Sequence, residues 1–243
     1  MTNRHRAFEL FLRSASFVLT RDYGQAFSDV VLDDARMEYE RLLPEVPDIG
    51  GAHNFFQPVM TVNGWIVALH RAMNTRGSAP EDAIRVCQEI FDQWLQKLPN
   101  FLLRLVGRLL FSAPARRYLE RQAQRSQERR YVDDFVWRVE RGPDGEMSLI
   151  FDECAVNKFY EAQGVDALKP YCNFFDVTYS RLMRMGIDAT ETIGLGCDRC
   201  ALRYQHHRET VIPPNLQEII GSGRASLEAR RPTPIRPPVV NGQ

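Results

Sequence analysis

Apolar positions along the first 130 residues recur at three- and four-residue intervals, the period that gathers side chains on one face of an α-helix. Ala7, Phe8, Phe11, Leu12, Ala15 and Leu19 make the first such stripe. Asp29 to Leu43 carries the second, closed by Pro44 and the PDIGG loop at 47–51, and Thr61 to Ala72 and Pro80 to Leu98 follow. Pro80, Glu81 and Asp82 suit a first helical turn, where proline forgoes no bonded N–H and negative charge meets the helix dipole. Lys97 suits the other end.

The period changes after Arg130. Phe135, Trp137 and Val139 alternate with more polar neighbours, as do Met147, Leu149 and Phe151, and the cluster Gly142-Pro143-Asp144-Gly145 between them predicts the turn of a β-hairpin. Residues 154–163 predict a short helix ended by Gly164, and Pro170 opens a second that reaches about Met185. Ala189 to Ile193 and Cys200 to Tyr204 predict two more strands, separated by Gly194-Leu195-Gly196. The fold class is therefore α+β: a helical part over 1–130 packs as one body with a ββααββ part over 131–212 that holds a small antiparallel sheet. Residues 213–243 are rich in Pro and Arg and poor in large apolar groups, which predicts a mobile tail.

Composition narrows the partners. With 44% hydrophobic and 26% charged residues the chain can bury a core. Lys plus Arg equals Asp plus Glu at 31 each, so no global field attracts a polyanion and nucleic acid is not an expected partner. The longest apolar run, Phe101 to Phe111, is interrupted by Arg104 and Arg108 and is short of the roughly 20 residues of a membrane span. Glu9 and Arg13 break the N-terminal apolar stretch, which reads as an amphipathic helix and not as an export signal. A cytoplasmic protein acting on a small molecule is the expectation; the oligomeric state is not legible.

Five cysteines, an odd count without an export signal, argue against a disulfide framework and leave thiols or metal ligands. Cys172, Asp176 and Ser180 stand at i, i+4 and i+8, on one face of the second predicted helix. Cys154 falls where the hairpin gives way to the first, a place where free N–H groups and the helix dipole favour a thiolate. Cys200 opens a strand. Each cysteine can equally serve as a small core hydrophobe, and Cys87, within an apolar helical pattern, is assigned to the core. Cys197 and Cys200 form a C-x-x-C pair that, with Cys154 and Cys172, would supply four sulfurs to zinc; no other cofactor is implied. His53, after the PDIGG loop, and His206 and His207, after the last strand, suit proton transfer. Arg203 offers a planar fork for a substrate carboxylate. Arg117, Arg121, Arg125 and Arg129 form a basic helical stripe that reads as a solvated face.

Taken in order, Glu153-Cys154, Cys172 with Asp176, and a glycine turn leading into C-D-x-C-x-x-R-Y at 197–204 resemble the L-2-amino-thiazoline-4-carboxylate hydrolase family. The resemblance is best over about 130–207 and extends more weakly upstream through YERLLPEVPDIGG and Asn54. It implies attack on a cyclic C=N carbon bearing sulfur, opening a thiazoline ring towards a carbamoyl-cysteine. Cys154, Cys172, Asp176 and Cys200 are the catalytic positions it carries over; His53, Asn54 and Arg203 are the expected substrate contacts. Ala201 and Leu202 depart from the family, which more usually has an aspartate or similar residue and a phenylalanine there, and the departure bears on substrate identity. The cysteine order also resembles 4-vinyl reductase and Bet3-like domains. That likeness implies the same fold class, with a noncatalytic ligand- or metal-binding domain as the alternative function.

Overall fold

The first apolar stripe forms helix α1, Asn3–Tyr23, and buries Phe8, Phe11, Leu12, Ala15 and Leu19 on one face. The computed structural model describes residues 3–206 and 208–220. Gly24, at φ 89°, turns the chain directly into α2, Gln25–Leu42, four residues before the predicted start. Helices α3, Gln57–Asn74, and α4, Pro80–Gln96, complete a helical layer with them. At the start of α4 the Asp82 carboxylate accepts the Ala79 N–H at 3.0 Å, so the predicted acidic first turn caps the helix as well as meeting its dipole. Two further helices, α5, Asn100–Leu110, and α6, Ala113–Ser126, lead to the sheet.

Strands β1, Val136–Arg141, β2, Met147–Glu153, β3, Ile187–Glu191, and β4, Cys200–Tyr204, form one antiparallel sheet in the order β1-β2-β4-β3. Helices α7, Ala155–Ala162, and α8, Phe174–Met183, lie between the two hairpin-like halves in the chain. The register pairs Phe151 with Cys200, Leu149 with Leu202 and Met147 with Tyr204. Because side chains alternate along a strand, these six share one face, and that face looks into the core against the helices. The buried apolar cluster runs without a break from α1 to the sheet.

Other predicted boundaries shift as well. Pro170 does not open an α-helix: it sits inside a 3-10 turn over Asp166–Tyr171, and α8 begins at Phe174. Lacking an N–H, proline is accommodated by i→i+3 bonds around it, from Leu168 to Val165 and from Cys172 to Lys169. Strand β3 starts at Ile187 because Arg184 and Gly186, at φ 56° and 59°, turn the chain out of α8 sooner than the sequence implies. Residues 213–220, assigned above to the tail, pack on the body: Pro214–Leu216 is a 3-10 turn, Gln217–Ile220 a short helix, and Leu216, Ile219 and Ile220 are buried. Three apolar side chains in five residues are enough to hold this segment down, although the proline-rich composition around them hides the signal. The remainder of the predicted tail lies outside the described residues. Leu216→Ala is expected to cost about 2–5 kcal/mol in denaturant unfolding, as for other fully buried leucines; a change within 0.5 kcal/mol would show that the segment contributes nothing.

Candidate functional site

Between the inner face of the sheet and the helices lies a cavity of about 140 Å³. Met147, Leu149 and Phe151 of β2 and Cys200, Leu202 and Tyr204 of β4 form one wall, as their shared parity requires. Across it, the Phe56 ring packs on Phe135, Trp137 and Phe151 at 4.8, 5.2 and 5.6 Å between centroids. The polar end is made by Cys154, Cys172 and Asp176, together with Asn173, Tyr179 and Thr192.

Cys154 is the residue before α7, in extended backbone, so it stands at the helix N-terminus. A hydrogen bond from the Cys200 thiol lowers its pKa; burial opposes this, and the Asn157 and Val156 N–H groups at the helix start reinforce it. Cys200 shifts the opposite way, raised by that same bond and by burial. Their bond thus favours the thiolate on Cys154 and the thiol on Cys200. The Ile193 N–H points at the Cys200 sulfur at 3.2 Å. Cys172 caps the 3-10 turn just ahead of α8, and burial pushes its thiol well above the ordinary range, as do the neighbouring Cys154 and Asp176 charges. It stays a neutral thiol.

Asp176 occupies the first turn of α8, and burial raises its carboxyl to about 7. It is half-buried, and what surface it keeps lines the cavity. The Tyr179 hydroxyl donates to Asp176 Oδ1 at 3.1 Å and lies 2.7 Å from the Tyr204 hydroxyl. Each phenol has one proton, so when Tyr179 gives its own to Asp176, Tyr204 must donate to Tyr179. Burial raises both tyrosines and keeps them protonated. The arrangement can ionise one sulfur, hold a carboxyl poised near neutrality and supply two hydroxyl protons behind it.

The four residues carried over as catalytic thus meet at one cavity. Ser180, on the same predicted face, does not line it; its hydroxyl is fully buried without a hydrogen-bond partner. The structure places the three expected substrate contacts, His53, Asn54 and Arg203, away from this cavity. His53 is exposed and, with Asn54, borders a separate cleft of about 420 Å³. The Asn54 amide donates to the Ile49 carbonyl at 2.7 Å and to Asp134 at 2.8 Å, while its oxygen accepts the Phe56 N–H, so this side chain braces the loop. Arg203 lies at odd parity to Cys200, off the cavity wall, and pairs with Glu191 at 2.5 Å. The same alternation that places Leu202 and Tyr204 beside Cys200 excludes it. His207 lies outside the described residues, and the His206 ring stands 5.8 Å from Phe111.

The zinc alternative also changes. Cys197 is exposed while Cys200 faces the cavity, and among the described residues no three His, Cys, Asp or Glu side chains are grouped to hold a metal ion. Tyr179, Asn173 and Thr192 were not singled out in the sequence. Tyr179 lies one turn beyond Asp176, which is a usable signal; nothing local marks the other two. Among the described residues no helix is long and apolar enough to cross a membrane.

Residues 60–204, more than half of the chain, match the family described as L-2-amino-thiazoline-4-carboxylic acid hydrolase. No curated protein and no solved structure matches.

Proposed function

The chain belongs to the L-2-amino-thiazoline-4-carboxylic acid hydrolase family, and from that premise we propose that it opens a small cyclic amidine or thiazoline by attack of Cys154 on the C=N carbon. One observation carries the reading: two groups on one cavity wall have environments that drive their pKa values in opposite senses, Cys154 down and Asp176 up to about 7. The first shift favours a nucleophilic thiolate and the second keeps a carboxyl able to give a proton near neutral pH, the division of labour such sites need.

In the proposed sequence the Cys154 thiolate adds to the ring carbon, and protonated Asp176 delivers its proton to the ring sulfur as the C–S bond breaks. The ring sulfur leaves as a thiol, with the amidine carbon held on Cys154 as an isothiourea. Ionised Asp176 then takes a proton from water. The hydroxide adds to that carbon, Cys154 departs as thiolate, and a substituted urea is released. The Cys200 thiol steadies the Cys154 sulfur before attack and after departure, and the Tyr179–Tyr204 pair supports each charge state of Asp176.

The test is release of free thiol from 2-amino-thiazolines by the purified protein. Cys154→Ser is expected to lower kcat by about 10³-fold or more, as for loss of a nucleophile. Cys172→Ser, which removes a neutral thiol, is expected to leave kcat within about tenfold. Full turnover by Cys154→Ser would sink the reading. The noncatalytic alternative predicts saturable binding with no thiol released by any variant.

A further inference from the structure

We propose that the substrate is a single-ring cyclic amidine whose ring substituent is apolar and carries no carboxylate, with Asn173 and Thr192 receiving its nitrogen-bearing head. This deepens the hydrolase reading and rests on it for the choice of an amidine; the preference for an apolar body stands on the cavity alone.

The family's printed substrate is a carboxylic acid, yet among the described residues no Lys, Arg or His lines this cavity. Arg203 of the motif is turned to the other face of the sheet and held by Glu191. The walls are instead Phe56, Phe135, Leu149, Phe151, Met185 and Leu202. A ligand carboxylate entering here would shed its water without gaining a cation from the described residues, and would face the Asp176 carboxylate, a like charge. Both effects disfavour it. An apolar substituent gains what the carboxylate loses, because it exchanges water for aromatic and aliphatic contacts.

The polar end carries an independent sign of the missing partner. Asn173 and Thr192 are among the residues around the cavity, are only 2% and 1% exposed, and their Oδ1 and Oγ1 atoms have no hydrogen-bond partner. The orientation of Asn173 is settled, since its amide nitrogen donates to the Ala189 carbonyl at 2.8 Å and a carbonyl can only accept. The unpartnered atom is therefore an acceptor. Buried polar atoms are rarely left unmatched. An amidine offers N–H donors to Asn173 and either a donor or an acceptor to the Thr192 hydroxyl, with Asp176 beside them. The volume sets the size: about 140 Å³ is close to that of a cavity known to admit one benzene ring, about 150 Å³. One ring with a few further atoms fits.

The experiment uses the full chain carrying Cys154→Ser, which binds without turnover, and a matched pair of 2-amino-thiazolines bearing isobutyl or carboxylate at the same ring carbon. Calorimetric titration at pH 7.5 is expected to show the isobutyl compound binding at least 100-fold tighter. Equal or tighter binding of the carboxylate, or no binding of either at millimolar concentration, overturns the proposal. Thr192→Val, which keeps the shape and removes the hydroxyl, is expected to weaken the isobutyl compound about tenfold with an unchanged melting temperature. Unchanged affinity removes Thr192 from the site and refutes that part. Thiol release by the wild type is read separately. If neither ring opens while the isobutyl preference holds, the hydrolase reading fails and the cavity's selectivity is upheld; if the carboxylate ring opens faster, the reaction stands and this proposal falls.

Discussion

Asp176→Asn is expected to raise stability at pH 8 by up to about 4 kcal/mol while lowering turnover by about 10² or more. The two signs differ because one property causes both. The carboxyl titrates at about 7 in the folded protein, against 3.8 for the unperturbed group, so the native chain binds more protons than the unfolded chain between those values. Stability from this group is fully present below about pH 4 and is lost as pH rises through 7. Above 7 the fold carries a buried carboxylate with one phenol donor and no cation. Asparagine keeps the acceptor for Tyr179 and removes the charge, so the variant and the wild type should converge in stability below about pH 4, diverge progressively between 4 and 7, and keep a constant difference above 7. Water entering the cavity lowers the magnitude and leaves the sign. Urea unfolding at pH 4, 6 and 8 checks this, with thiol release measured in parallel. The wild-type kcat should fall with rising pH around 7, and that limb should be missing in the variant. A destabilised variant at pH 8 would show that the Asp176 charge is compensated in the fold.

Gly194→Ala is expected to be the most damaging single methyl added at the site, at about 3 kcal/mol or more, with altered Cys172 reactivity. A Cβ there would stand 2.0 Å from the Lys169 carbonyl oxygen, 2.8 Å from its carbon and 3.2 Å from the Cys172 sulfur. Backbone atoms cannot turn aside as a flexible side chain can, so the 3-10 turn over Asp166–Tyr171 must move from the one over Ile193–Leu195, and Cys172 moves with it. Gly196 gives the comparison within the same turn. It sits at φ 88° with nothing within 4 Å of its would-be Cβ, so Gly196→Ala meets only backbone strain, about 1–2 kcal/mol. Unfolding curves and thiol titration of both variants would separate the two causes. Equal losses, with Cys172 reactivity unchanged, would mean that the close approach is relieved without disturbing the site.

The helical stripes, the hairpin, the shared helical face of Cys172 and Asp176 and the places of Cys154 and Cys200 at element ends were legible because each rests on spacing that is local in the chain: a period of 3.6 or 2, a proline or glycine where the period ends, a cysteine at an element's edge. The alternation in Met147, Leu149 and Phe151 and in Cys200, Leu202 and Tyr204 even predicts the cavity wall, once the two strands are known to pair. The same parity places Arg203 on the other face of the sheet, away from the carboxylate-binding role expected of it. The separation of His53 and Asn54 from this cavity has another cause. Their loop lies next to the start of α3 in the chain, but Asn54 is held by Asp134, 80 residues away, on the side of Phe56 that borders the other cleft. No local signal reports a contact of that separation. The same holds for the residues 213–220, where three apolar side chains find a surface built by distant helices, and for Asn173 and Thr192, ordinary polar residues whose unmatched atoms matter only because the fold removes water from around them. The sequence by itself determined which elements form and which sulfurs lie near their ends, because dihedral preference and periodicity act over a few residues. The tertiary structure alone decided which side chains share a cavity and what their protons do there, because burial and electrostatic neighbours are properties of the closed space and not of the segments that enclose it.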